Sequence, residues 1–277
     1  MPKPLSMRYR KYKPSLLLKP YVYDYFLWDS EALSVPFEIT SPANCYFALI
    51  FNYETPYQLF NNIHQGSRLP QSFLSGQSSA TYTLRLSGRI GMAGVIFQGS
   101  AFQNLFPVPH PLEFLDDRVD LHNFIGTDAA RITEQLSEAP SDLDKILVLE
   151  KFLLERLKKR RITRSVADEA AQIILDQRGV IRMDDLAKTL CISPRNLRRR
   201  FTERMGVSPK YFARLKRFGY VNAMLTIHPS LSWQNFMIDG GFYDQSHLVK
   251  DYQEFVGKNP SEQFLYTRQL AEQMLQS

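Results

Sequence analysis

Apolar residues follow two rhythms along this chain. From residue 21 to about 106 they come as short runs and alternations, the period of β-strands, separated by turn residues. Residues 45–51 (CYFALIF) form an unbroken apolar run that suits a buried strand, and residues 52–56 read as the turn after it. Residues 81–86 alternate and suit a half-buried strand. Ser87-Gly88-Arg89 closes it, and residues 90–97 look like its neighbour. Gly91, Gly94 and Gly99 suggest bulges or sharp bends there, as in a small barrel. Short strands at this spacing predict a β-barrel or sandwich.

Pro107, Pro109 and Pro111 make a stiff connector, after which the rhythm turns helical. Residues 127–137 read as one helix. Ser141 precedes the acidic Asp142 and Asp144, a plausible N-cap with carboxylates in the first turn. Leu143, Ile146, Leu147, Leu153, Leu154 and Leu157 then follow helical spacing, interrupted by Glu150. Such a stripe packs on its own domain or pairs with the same helix of another subunit; both readings stand. Residues 165–177 form a helix with Val166, Ala170, Ile173 and Ile174 on one face, and Gly179 is its stop. Residues 183–190 are a short helix, and Cys191-Ile192 turns the chain. Ser193 caps the next helix with Pro194 at its first position.

That next helix, to about Met205, turns Leu197 and Phe201 inward and Arg195, Asn196, Arg199 and Arg200 outward. An apolar seam beneath an arginine-rich face, after a short capped turn, suits the major groove of DNA. The plain alternative is a solvated basic helix. Residues 209–226 form a longer helix with Phe212, Leu215, Gly219, Ala223 and Leu225 as its packing face. Then the pattern repeats. Leu197, Phe201, Gly206 and Pro209 recur 51 positions later as Leu248, Tyr252, Gly257 and Pro260. Residues 231–238 are the first helix of this second unit, 240–243 its turn and Asp244 its cap. A helix from Gln245 to Val256 buries Leu248, Tyr252 and Phe255. It exposes Gln245, Ser246, Val249, Lys250 and Gln253, and Asp251 either faces away from phosphate or pairs with a base amine.

Charge sharpens this division. Residues 158–277 carry 20 Lys and Arg against 12 Asp and Glu, whereas residues 1–157 carry 14 against 16. A basic second half on a near-neutral first half points to a nucleic-acid-binding domain (158–277) with a non-binding companion (1–157). At 277 residues there is chain for two cores. No apolar run reaches membrane-span length, and none follows the start as a signal segment would. Cys45 and Cys191 have no metal-type spacing and suit a reduced, cytoplasmic setting as small apolar side chains. His64, His110 and His122 are too scattered for a metal site. No phosphate loop, nucleophile elbow or zinc-protease motif appears, so no enzyme, cofactor or metal is expected. The basic residues Arg8, Arg10, Lys11 and Lys13 suggest a flexible arm, and residues 158–161 (KKRR) a solvated linker.

Leu186-Ala187, Ser193, Leu197, Phe201, Gly206-Val207-Ser208-Pro209, Arg217, Ala223, Gly241-Phe242, Asp244-Gln245-Ser246-His247, Gly257 and Pro260 together resemble the C-terminal domain of the AraC/XylS family of bacterial transcription regulators. The resemblance covers roughly residues 165–268. It implies seven helices, two helix-turn-helix units joined by a long helix, and base-facing positions at Arg195, Asn196 and Arg199 and at Gln245, Ser246, Val249 and Lys250. Met237 stands where the family has alanine, and Leu248 and Tyr252 where phenylalanines are common. Residues 73–76 and 91–97 are similar to the cupin-like sensor domains of one branch of the family.

The expectation is therefore a two-domain α+β protein. An N-terminal β-barrel or cupin-like domain with helices would sense or dimerise, and an all-α C-terminal domain would bind double-stranded DNA. Its partners would be DNA, RNA polymerase, a small-molecule effector and a second copy of the chain, with no membrane. The rivals are a regulator whose N-terminal domain binds only protein, a cupin-type enzyme fused to a DNA-binding module, and a sequence-blind basic DNA binder.

Overall fold

The computed structural model describes residues 7–106, 111–160, 164–227 and 245–257, without the side chains of 225–227, 245 and 247. They form two compact units. The first comprises Met1–Ser41, Tyr46–Gln77 and Tyr82–Ser165. The second comprises Val166–Ser277 with two short segments of the earlier chain, Pro42–Cys45 and Ser78–Thr81.

The first unit is β-rich. One antiparallel sheet runs in the order β1 (Met7–Tyr12), β2 (Val22–Ser30), β9 (Gly91–Phe97), β4 (Ala48–Asn52), β7 (Ser72–Ser75) and β10 (Arg118–Asp120). The other runs β3 (Leu33–Ser41), β8 (Tyr82–Gly88), β5 (Gln58–Phe60) and β6 (Gln65–Arg68). The two-domain α+β expectation holds, with two sheets and no closed barrel among the described pairings.

Two apolar layers follow. Phe26, Ile50, Leu59, Phe73, Leu84 and Met92 are among the residues that fill the space between the sheets. The other face of the larger sheet packs on α1 (Ala101–Leu105), α3 (Asp128–Glu138) and α4 (Asp142–Lys158), beside the short α2 (His122–Ile125). Phe47, Phe102, Phe106 and Phe152 stack in series there, with centroids 5.1 to 5.8 Å apart. Burial of each such ring contributes about 1.5–3 kcal/mol.

Several local expectations change. Residues 90–97 are not the neighbour of residues 81–86: β9 pairs with β2 and β4, and β8 with β3 and β5, in different sheets. Gly88, at φ +67°, sits where the chain crosses between the sheets. Gly91 and Gly94 mark no bulge, since the β4–β9 register is unbroken and the shift against β9 lies in β2, between Val22 and Asp24. Gly94 instead makes room for a ring, because a Cβ there would lie 2.1 Å from Phe26 Cε1. The basic N-terminal stretch is not a loose arm from Met7 onward. It is an edge strand whose Arg10 pairs with Asp29 and donates to Asp142 Oδ1 at 2.9 Å.

The α4 cap forms as expected, with Ser141 Oγ accepting from the Asp144 N–H. Its buried face is Ile146, Leu149, Phe152 and Leu153, whereas Leu143 and Leu147 stand exposed. The leucines fit two faces, and the one that packs carries Phe152, whose ring meets Phe106 at 5.8 Å. Lys158 ends α4 and Lys159 caps it, so the basic run begins inside the helix, where cations suit the dipole. Arg161, Pro107 and Pro109 lie outside the described residues.

Asp142 ties β1 to α4. Burial alone would raise its pKa, but the Tyr12 hydroxyl (2.7 Å) and Arg10 outweigh that and hold it below the usual carboxylate range. Asp128 is lowered as well, by the Arg131 guanidinium first. A depressed folded-state pKa gives stability that is present above the unfolded value, near pH ~3.9 for Asp, and lost as pH falls through the folded value. The melting temperature of the chain is therefore expected to fall on acidification below about pH 4. Asp142→Asn should flatten that fall; an unchanged acid limb would remove Asp142 from the account.

Candidate nucleic-acid interface

The second unit is built on α5 (Val166–Asp176), α6 (Met183–Thr189), α7 (Pro194–Met205), α8 (Pro209–Ile227) and α9 (Gln245–Val256) among the described residues. The helix-turn-helix is α6, its turn and α7. Cys191 adopts φ +52°, and Ile192 N–H donates to Ala187 O at 3.1 Å, reversing the chain within three residues. Cys191 is thus the turn residue expected, and it is exposed, whereas Cys45 is buried. Ser193 Oγ accepts from the Asn196 N–H, Pro194 opens α7, and Gly206 closes it at φ +76°.

Packing turns α7. Leu197, Phe201 and Met205 are buried, and Phe201 meets Phe212 of α8 edge-on at 5.4 Å. Arg204 donates to Asp168 of α5 at 3.3 Å, a tie that holds the helix from behind. The opposite side carries Arg195, Asn196, Arg199 and Arg200, all exposed, as expected from the sequence, with Arg198 on its flank. Arg195, Arg198 and Arg200 have no ion-pair partner among the described residues, while Arg199 Nη1 donates to both carboxylate oxygens of Glu203. Sequence reasoning passed over Glu203, although the four-residue spacing to Arg199 was there to be seen.

The partner helix of the second repeat, α9, buries Leu248, Tyr252 and Phe255 as predicted. Phe218 of α8 meets Tyr252 at 5.0 Å and Phe255 at 5.3 Å. Ser246 and Lys250 are exposed and Val249 is half-buried; Gln245 opens the helix, its side chain outside the described residues. Residues 231–238 and 240–243, where a helix and its turn are expected, also lie outside them, as do Asp244 and Pro260.

Of the two sequence readings of Asp251, the first holds: it faces away from the exposed side of its helix. It is buried, and Arg214 and Arg217 of α8 reach its two oxygens at 2.7 and 3.2 Å. Arg214 also grips Glu254 at 2.5 Å. These acids lock α9 to α8. The α8 core is Phe212, Ala213, Leu215, Phe218 and Val221, with Gly219 and Ala223 exposed. One stripe was expected; α8 meets α5, α7 and α9, so its apolar face is broader and turned. On α5 likewise the buried set is Ala167, Ala170, Ala171 and Ile174.

Elsewhere, His64 has both ring nitrogens engaged, by Ser67 Oγ at 3.1 Å and Asp117 Oδ1 at 2.9 Å, clamping the β5–β6 hairpin to the loop before β10. Among the described residues no three His, Cys, Asp or Glu side chains lie close enough to hold a metal ion, and no helix is long and apolar enough to cross a membrane.

A short helix, a tight turn and a capped second helix with an arginine-rich outer face have the form of a helix-turn-helix unit. Residues 186–264 match a helix-turn-helix domain family, and residues 10–120 match a domain family of unknown function. No curated protein matches the chain. Among solved structures, ToxT from Vibrio cholerae shares 15% identity over 87% of this chain and 98% of its own, with a TM-score of 0.49. ToxT bound to (E)-4-(8-methylnaphthalen-1-yl)but-3-enoic acid shares 14% over 84% and 97%, with a TM-score of 0.48. The AraC-like transcriptional activator CuxR shares 10% over 79% and 87%, with a TM-score of 0.26. Residues 186–264 of this chain therefore form a helix-turn-helix domain.

Proposed function

We propose that this regulator reads a specific DNA sequence through α7 and α9 and that its first unit modulates the reading. The observation that carries the first part is the outward set Arg195, Asn196 and Arg199 on a helix fixed by the Ser193 cap and the Leu197–Phe201 seam. Guanidinium groups pair bidentately with guanine, and asparagine with adenine. Ser246, Val249 and Lys250 form the second reading face, with Gln245 at its start, for the next major groove roughly 34 Å along the same side of the duplex. Arg200 serves a flanking phosphate. Arg199→Ala is expected to weaken the preferred site by about 1–3 kcal/mol, some 5- to 150-fold, with a smaller loss on scrambled DNA. Equal losses on both duplexes in an anisotropy titration would mean a sequence-blind basic binder.

For modulation, the space between the sheets holds packed apolar side chains. An open cleft of about 420 Å³ lies instead between α3 and the ends of β4 and β7, lined by Tyr53, Gln71, Ala130, Thr133, Glu134 and Ser137. Five of these six carry hydrogen-bonding groups and the only charge is Glu134, so a neutral polyol or a small amine suits it better than an anion. A panel of such compounds, read by the melting temperature of the full chain, tests this. No shift, or a shift that Ser137→Tyr leaves intact, would remove the effector from the reading. The exposed Leu143 and Leu147 of α4 offer a face for a second copy of the chain. Such a cytoplasmic regulator would act on RNA polymerase by recruiting it or by occluding its site.

A further inference from the structure

Glu203 is the one acidic residue of α7. Steps of four place it on the same outward stripe as Arg195 and Arg199. Both partners of the Arg199–Glu203 pair are more than half exposed, at 57% and 60%. An exposed pair at this spacing adds little to stability. A carboxylate on a face that meets a polyanion also weakens non-specific attraction. Folding therefore gives little reason for Glu203, and bulk DNA affinity gives less. Its geometry does give one. Oε1 and Oε2 take the Arg199 Nη1 donor at 2.9 and 3.2 Å. The Nη2 and Nε donors remain, two parallel N–H groups on one edge of the guanidinium. The other outward arginines, Arg195, Arg198 and Arg200, carry no such restraint among the described residues.

We propose that Glu203 is a specificity-determining positioning residue: it holds Arg199 by Nη1 so that Nη2 and Nε meet a base edge, and it disfavours the pose in which Arg199 turns to a phosphate. This rests on the reading of α7 as the DNA-facing helix. Preordering one arginine lowers the entropy lost on binding the correct base and removes the competing phosphate contact that rewards every sequence alike.

The test uses the full chain and a duplex enriched by repeated selection from random DNA. Anisotropy titrations against that duplex and a scrambled one are made for wild type, Glu203→Gln, Arg199→Ala and the double variant, with helicity checked by circular dichroism. Glu203→Gln is expected to bind scrambled DNA more tightly and to lower the selected-to-scrambled ratio about 2-fold. In the Arg199→Ala background the same change should leave the ratio unaltered, because the partner it positions is gone. A ratio unaffected by Glu203→Gln, or reduced equally in both backgrounds, would overturn the proposal while leaving α7 as the reading helix. A wild type without preference for the selected duplex would overturn both.

Discussion

Gly179→Ala is expected to destabilise the C-terminal unit by at least about 3 kcal/mol. Two costs combine. Gly179 adopts φ +80°, a left-handed conformation that a side chain disfavours. A Cβ there would also lie 2.1 Å from the Ala213 carbonyl oxygen and 2.7 Å from Arg217 N. Both are backbone atoms of α8, so no rotamer change relieves the contact; α5 and α8 must separate. The sequence marks this glycine as a helix stop, and the packing adds close approach of two backbones. Gly219→Ala is the matched control. It sits in α8 with open space around the added methyl, and should stabilise by about 0.5–1 kcal/mol through helix propensity. Thermal denaturation followed by circular dichroism separates the two, and similar melting points for both variants would contradict the packing described.

The second large effect is at Asp251. Its carboxylate is 2% exposed and faces Arg214 and Arg217, whose side chains keep 27% and 18% of their surface. Removing one partner of a buried pair leaves uncompensated charge and costs 3–5 kcal/mol when the site is dry, by ~ estimates for fully buried pairs. Residual solvation of the two arginines reduces this, so Asp251→Asn is expected to cost about 2–3 kcal/mol. The loss should be shared by DNA binding, because α9 is oriented through this lock. Arg214→Met with Asp251→Leu, which removes charge from both helices, should recover part of the stability. A single Asp251→Asn variant as stable as wild type would show that the apolar contacts of Phe218 with Tyr252 and Phe255 hold α9 unaided.

What the sequence discloses follows from the range of the forces involved. The α7 unit is legible because its determinants are local: the Ser193 cap, Pro194, the Leu197–Phe201 spacing and Gly206 act within one turn of one another. The outward arginines follow once the apolar seam is placed. Long-range choices are not written locally. The 87–89 stretch has the composition of a hairpin turn, yet it passes the chain from one sheet to the other, because partners for β9 come from β2 and β4. Residues 7–12 look like a solvated tail until Asp29 and Asp142 arrive from elsewhere in the chain. Asp251 is opaque for the same reason, since its two arginines lie 34 and 37 positions away. The α4 leucines satisfy helical spacing on two faces, and only the neighbours of Phe152 select between them.

The central claim is that the exposed faces of α7 and α9 read sequence and do not merely attract phosphate. Its most direct test is fluorescence anisotropy of the full chain with DNA from its own upstream region and with scrambled DNA, across a salt series. The account predicts a preference for the upstream duplex that persists as salt rises and both affinities decline. Equal binding that collapses in parallel with salt would contradict it, leaving only counterion release from a basic surface.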